Sequence, residues 1–240
     1  MAQAAADIEV VTEELPPYNM TENGQVTGLS TEIVQAVMKQ AGVSAPIQVM
    51  PWARAYDRAS EIPNVLIYSI ARTPQREPLF QWVGAIAPTR WFLYSLADKP
   101  IHLNSLADAH GHQIATVNKD AGQEYLLSQG FVMGRELQST TKYENNYHML
   151  KVDHVELWIS NELNAYYLTR RNGADPDQEL VRSLELKDLG GAEGLNMAFS
   201  KGTPPERVEQ FRQALATVRK NGTYDAILKR WLSGEGPTPK

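Results

Sequence analysis

A chain of 240 residues that is 42% hydrophobic and 21% charged has the ordinary balance of a soluble globular protein, long enough for one large domain or two small ones. A net charge of −5 with no basic block argues against a nucleic-acid partner, and no apolar run approaches the roughly 20 residues that span a bilayer. The absence of cysteine removes disulfides, thiolate nucleophiles and cysteine-held zinc, while fitting either redox compartment.

The start, Met1 to Asp7, is small and Ala-rich. It reads as the remainder of a signal-peptide cleavage region behind an added initiator Met, or as a ragged natural N-terminus. A strand is expected over 8–12, stopped by Leu15-Pro-Pro-Tyr18. Asn23-Gly24 marks a tight turn. A helix then runs from Gly28 to Gly42, with Ser30 or Thr31 as its cap and Ile33, Val34, Val37, Met38 and Ala41 as its apolar stripe. A strand over 47–50, a short helix over 52–60 and a strand over 65–70 continue the alternation of an α/β layer with a mostly parallel sheet.

A further strand is expected over 91–96, and then the pattern begins again. It comprises a strand over 113–117, a turn over 118–122 and a helix over 123–129 ending at Gly130. A helix over 143–150, a strand over 155–159 and a helix over 161–170 complete the second set. Strands over 184–189 and 195–199 return from it, and helices over 205–221 and 224–232 close the chain on either side of Gly222. Two such sets joined by extended crossings imply two lobes with a cleft between them, where small ligands usually bind.

The most informative run is 65–77, in which an apolar strand passes into Arg72 and Arg76, with Ser69 and Thr73 beside them and Pro74 breaking the strand. A guanidinium offers five donors in a fixed fork that matches a carboxylate, so this strand end reads as a receptor for a small anion, or as a surface ion pair with Glu77. The turn over 118–122 precedes a helix N-terminus, which also favours an anion. Trp52, in Pro-Trp-Ala-Arg-Ala-Tyr, can stack on a ligand or sit in the core, whereas Trp82, Trp91 and Trp158 read as core or hinge packing. Glu13 and Glu14 in the loop after the first strand either face a ligand or are solvated. The pairs His110 with His112 and His148 with His154 lack partners at metal-ligand spacing and read as surface residues.

The order of these elements, with their local motifs, resembles the periplasmic solute-binding proteins of polar amino-acid ABC importers, the bacterial extracellular solute-binding protein family 3. The similarity runs from Ile8 to Leu232. It rests on Leu15-Pro-Pro-Tyr-Asn-Met with Asn23-Gly-Gln-Val-Thr-Gly-Leu-Ser-Thr-Glu, on Thr73-Pro-Gln-Arg76, on Leu106-Ala-Asp with Gly111-His-Gln-Ile-Ala-Thr-Val, and on Asn221-Gly-Thr-Tyr-Asp-Ala-Ile-Leu-Lys-Arg-Trp231. The resemblance implies an α/β, two-lobed periplasmic-binding-protein fold of type II, each lobe a mostly parallel sheet flanked by helices. One lobe would be 8–90 plus 195–235 and the other 91–194, with hinge crossings between them.

By the same resemblance, the lobes close on a small polar carboxylate-bearing solute, such as an amino acid or derivative. Arg76 would pair with its carboxylate, Ser69 and Ala71 would add hydroxyl and backbone groups, and Tyr18 and Trp52 would flank its side chain. Ala121 and Gly122 would offer backbone N–H groups, with Asn161 at the position where the family holds an acid for the amino group. Glu14 and Arg72 complete the expected set. Two departures stand out: Asn161 lacks the full charge expected there, and Asp120 would oppose a carboxylate unless its side chain turns away to cap the helix. Both favour a ligand with a carboxylate and a weaker or displaced cation. The implied partners are the small-molecule ligand and the membrane permease of an ABC importer. The protein would be a periplasmic monomer without cofactor or catalysis. An enzyme of dehydratase type on the same fold and the ligand-binding module of a sensory receptor are the alternatives.

Overall fold

The apolar run 65–71 and the valines at 10 and 11 become adjacent parallel strands in the computed structural model, which describes residues 8–189 and 194–233. β1 (Glu9–Thr12) is followed by a hairpin of β2 (Met20–Glu22) and β3 (Gln25–Thr27), turning at Asn23-Gly24, both at positive φ. Then come α1 (Leu29–Gln40), β4 (Ile47–Val49), α2 (Trp52–Glu61) and β5 (Val65–Ala71). β1 lies between β4 and β5 and parallel to both. All seven residues of β5 are buried, as expected of a strand covered on both faces.

Neither Ser30 nor Thr31 caps α1. The cap position is Gly28, and the Tyr18 carbonyl accepts from Ser30 N (2.8 Å) and Thr31 N (3.2 Å) in place of a side chain. The approach is so close that a Cβ on Gly28, at φ +120°, would lie 2.4 Å from that oxygen. Thr31 is instead turned to the Tyr68 hydroxyl, 2.9 Å away.

β6 (Phe80–Ala87) completes this part of the first sheet, giving bounds to the strand-like run around Trp82, which is buried as predicted. The chain then crosses to β7 (Trp91–Leu96), β8 (Ile114–Val117), α3 (Ala121–Ser128), β9 (Leu137–Thr140), α4 (Tyr143–Lys151), β10 (Leu157–Asn161), α5 (Glu162–Arg171), the short α6 (Pro176–Glu179) and β11 (Leu180–Glu185). β9 was not expected, and β11 begins four residues before the strand expected over 184–189, whose end instead turns Leu186 and Leu189 into the core. β12 (Leu195–Ser200), α7 (Pro205–Lys220) and α8 (Thr223–Leu232) return to the first sheet, where Phe211 of α7 meets Phe199 edge-on at 4.9 Å.

The two five-stranded sheets have the orders β4-β1-β5-β12-β6 and β11-β7-β10-β8-β9. Each is parallel on one side and antiparallel on the other. In the first sheet β12 inserts antiparallel between β5 and β6, and in the second β7 runs antiparallel to β10 and β11. The α/β lobes are therefore laced together by crossings at 88–90 and 186–194, of which 190–193 lie outside the described residues. The crossings touch at Gly194, where a Cβ would stand 2.1 Å from the Ala87 carbonyl oxygen. The Ala-rich start and the Pro-Thr-Pro-Lys end, 1–7 and 234–240, also lie outside the described residues.

Candidate functional site

β5 ends at Ala71, and the Thr73 carbonyl then accepts from Arg76 N (3.0 Å) and Glu77 N (2.9 Å), a tight turn that swings Arg76 back under the strand end. Its side chain is only 1% exposed. A buried guanidinium demands partners, because an uncompensated charge in a low-dielectric site is costly. Nε donates to Glu124 Oε2 (2.9 Å), Nη2 to the Lys119 carbonyl (3.0 Å) and Nη1 to the Ala71 carbonyl (3.4 Å). The rings of Trp52 and Tyr56 lie 5.3 and 5.0 Å from the guanidinium carbon, within cation–π range.

Lys119 and Glu124 belong to the other lobe, in the turn after β8 and the first turn of α3. Lys119 is in the left-handed region (φ 61°), and its carbonyl also accepts from Trp52 Nε1 at 2.7 Å. Its ammonium reaches Asp57 of α2 at 2.8 and 3.0 Å, and its N–H donates to Gln123 Oε1 at 2.7 Å. The turn after β8 is thus clasped by α2 and Arg76. A second crossing point is the Pro16 carbonyl, which accepts from Asn164 Nδ2 of α5 at 2.6 Å.

Behind Arg76 lies a buried acidic group drawn from both lobes. Asp120 Oδ1 caps α3 by accepting from Gln123 N (2.7 Å), and Oδ2 accepts from the Tyr143 hydroxyl (3.2 Å). That hydroxyl is also 3.5 Å from Glu13 Oε1. Burial pushes the Asp120 carboxyl up to about 7, against the opposing pull of the Gln123 N–H and Arg76. Burial, reinforced by Asp120, holds the Glu13 carboxyl well above the usual carboxylate range, and burial raises the Tyr143 hydroxyl likewise. Burial thus favours the protonated form of both carboxyls. Beside it a cavity of about 290 Å³ is lined by Glu13, Glu14, Thr21 and Met50 from one lobe and Thr141 and Lys142 from the other.

The structure brings Trp52, Ala71 and Arg76 together with the turn that leads into Ala121 and Gly122. Ala121 and Gly122 are buried in the first turn of α3, and Gly122 packs on Ile159. Tyr18 is fully buried with its hydroxyl on the Pro88 carbonyl at 3.0 Å, beside the crossing between lobes. Ser69, in the left-handed region opposite a register shift in β12, gives its hydroxyl to Asn19 Oδ1. Asn161 uses Oδ1 to cap α5, accepting from Asn164 N at 3.0 Å, which leaves its buried Nδ2 as a donor without a partner among the described residues. Glu14 is exposed and accepts from Thr21 at the cavity mouth. Arg72 forks onto Glu77 (2.7 Å for both bonds) beside Trp82, the ion pair weighed from the sequence.

Sequence reasoning missed Glu124, Tyr143, Lys119 and Asp57. His110 and His112 pair with Glu136 and Glu156, and no group able to hold a metal ion occurs among the described residues. No helix among the described residues is long and apolar enough to cross a membrane.

Comparison with known proteins agrees with this architecture. The arginine-binding extracellular protein ArtP of Bacillus subtilis (strain 168) is 21% identical over 224 residues, covering 91% of this chain and 83% of that protein. Among solved structures, a histidine kinase sensor domain with similarity to periplasmic binding proteins superposes with a TM-score of 0.82 at 20% identity, covering 96% of this chain and 98% of that one. The arginine-, lysine-, histidine-binding protein ArtJ from Geobacillus stearothermophilus gives 0.79 at 21% identity, covering 98% and 97%. Residues 8–234 match the family description itself, so the chain belongs to the bacterial extracellular solute-binding proteins, family 3.

Proposed function

We propose that this chain is an extracytoplasmic receptor that closes its lobes on an amino acid or a carboxylate-bearing derivative and delivers it to the permease of an ABC importer. The observation that carries this reading is Arg76, buried under Trp52 and Tyr56 at the junction of the lobes with its Nε on a carboxylate. In this reading 8–90 with 195–235 moves against 91–194 as a hinge, and ligand that bridges both shifts an open–closed equilibrium. Arg76 takes the ligand carboxylate, Trp52 flanks it, and the Ala71 carbonyl and the N–H groups at Ala121 and Gly122 complete its surroundings. Tyr18 and Ser69 support the loops around it. Asn161 offers a donor where an acid would bind an ammonium, so the cationic end of the ligand lies elsewhere, towards the exposed Glu14. The protein acts as a monomer and as a binder, in keeping with a family of binding proteins. The likeness to a histidine kinase sensor domain favours one second reading, a sensory module with the same cleft.

Thermal unfolding in the presence of amino acids, their derivatives and small organic acids tests the proposal, with L-arginine first because ArtP and ArtJ are named for binding it. A ligand at ~1,000 times its Kd adds about 4 kcal/mol to the folded state. One saturable class of hits is expected. Silence across the panel, in protein refolded from denaturant to strip co-purified solute, would sink the receptor reading.

A further inference from the structure

The three acceptors around Arg76 differ in what can move. The Ala71 oxygen is the end of a fully buried strand, and the Lys119 oxygen is pinned by Trp52 as well as by Arg76. Neither can leave without moving a strand or a whole turn. Glu124 is different. Among the described residues it is the side chain that accepts from Arg76, and its own side chain is 33% exposed against 1% for the arginine. A rotamer change suffices to carry its carboxylate from the guanidinium into water.

With the lobes in the arrangement described, the Nε edge of Arg76 is already paired with a carboxylate of the protein, the place that a ligand carboxylate must take when the lobes close on it. Two anions on one edge repel, so closure on a ligand requires that the Glu124 carboxylate turn away. The exchange replaces one charge-assisted hydrogen bond by another of the same kind, so the carboxylate alone brings little net gain. A ligand must draw its advantage from its other groups.

We propose that Glu124 is a built-in competitor for Arg76, exchanged for the carboxylate of the incoming ligand, and that it sets the specificity of the cleft by rejecting simple carboxylic acids. This rests on the reading of Arg76 as the carboxylate site of a solute receptor. Glu124 is a specificity-determining residue acting through Arg76. The contrasting role, a fixed strut between lobes, predicts loss of stability on removal and no new affinity for anions.

Acetate is the probe, because it carries the carboxylate and almost nothing else. Thermal unfolding is followed for the wild type and Glu124→Ala in sodium acetate against sodium chloride at equal ionic strength, with ethylammonium chloride as a cation of similar size. In Glu124→Ala, acetate at ~100 mM is expected to raise Tm saturably by about 3 °C, while the wild type moves by less than about 1 °C and ethylammonium moves neither. The double variant Arg76→Met, Glu124→Ala should lose the acetate response. An acetate response in Glu124→Ala no larger than in the wild type, or one matched by ethylammonium, overturns the proposal. The wild-type amino-acid panel fails or succeeds separately. Its silence alongside a positive acetate response would remove the receptor reading and leave Glu124 as the occupant of an anion site.

Discussion

Arg76 is a fork with three acceptors on two lobes, and an ammonium cannot serve the same three at once. Lysine is a compact point charge on a flexible stem, so Arg76→Lys keeps the charge but loses the planar geometry that spans Ala71, Lys119 and Glu124. We expect Arg76→Ala to weaken the best amino-acid ligand about 100-fold or more, and Arg76→Lys to recover only part of it, by isothermal titration. Unchanged affinity in Arg76→Ala, with the protein folded by circular dichroism, would remove Arg76 from the carboxylate site. Arg76 was legible because a Thr-x-x-Arg turn after an apolar strand is a local pattern. Glu124 and Tyr143 were not. Each is an ordinary polar residue on a helix, and its meaning arises from partners 48 and 130 positions away that meet it only where the lobes come together. Glu13 was weighed as one of two loop acids, yet Glu13 is buried and Glu14 exposed, a distinction that neighbouring positions with the same side chain do not reveal.

At the scale of elements, helices and strands with continuous apolar runs were readable, whereas the bounds of β6 around Trp82, and β9 altogether, were not. β6 carries Gly84 and ends at Ala87, just before Pro88, and β9 is four residues long with one of them exposed, so neither presents a clean period of two. β12 was expected as a strand, but its insertion antiparallel between β5 and β6 follows from the chain's return after the second lobe, which no local pattern encodes. That return fixes Gly194. At φ +90°, with its Cβ position 2.1 Å from the Ala87 carbonyl oxygen, it lies where an L side chain must push the two crossings apart. Gly194→Ala should therefore cost about 2 kcal/mol or more and lower Tm by roughly 5 °C. Urea unfolding measures this directly, and a change within about 0.5 kcal/mol would show that the crossings yield without strain.

For the whole molecule, the acids behind Arg76 couple the contact between lobes to pH. Glu13 comes from one lobe and Asp120 and Tyr143 from the other, and unfolding the chain returns both carboxyls to water. In place, Asp120 is raised to about 7 by burial, while an exposed aspartate ionises near 4. Between those values the folded form holds a proton that the unfolded form releases, so its advantage is full at the acid end and is lost as pH rises through about 7. Glu13 is raised too and acts in the same direction. Arg76 opposes both, the Tyr143 hydroxyl stabilises whichever carboxylate forms, and Glu124 and Glu14 add repulsion to Asp120 and Glu13 respectively. The shift of Asp120 corresponds to a difference on the order of 2–4 kcal/mol across the interval. Tm should consequently fall from pH 5 to pH 8, with the radius of gyration by X-ray scattering rising if the lobes part before the chain unfolds. Asp120→Asn keeps an oxygen to cap α3 but carries no titrating proton, so it should flatten the profile. A wild-type Tm that rises over this range, or a slope untouched in Asp120→Asn, would place the pH response outside the cleft.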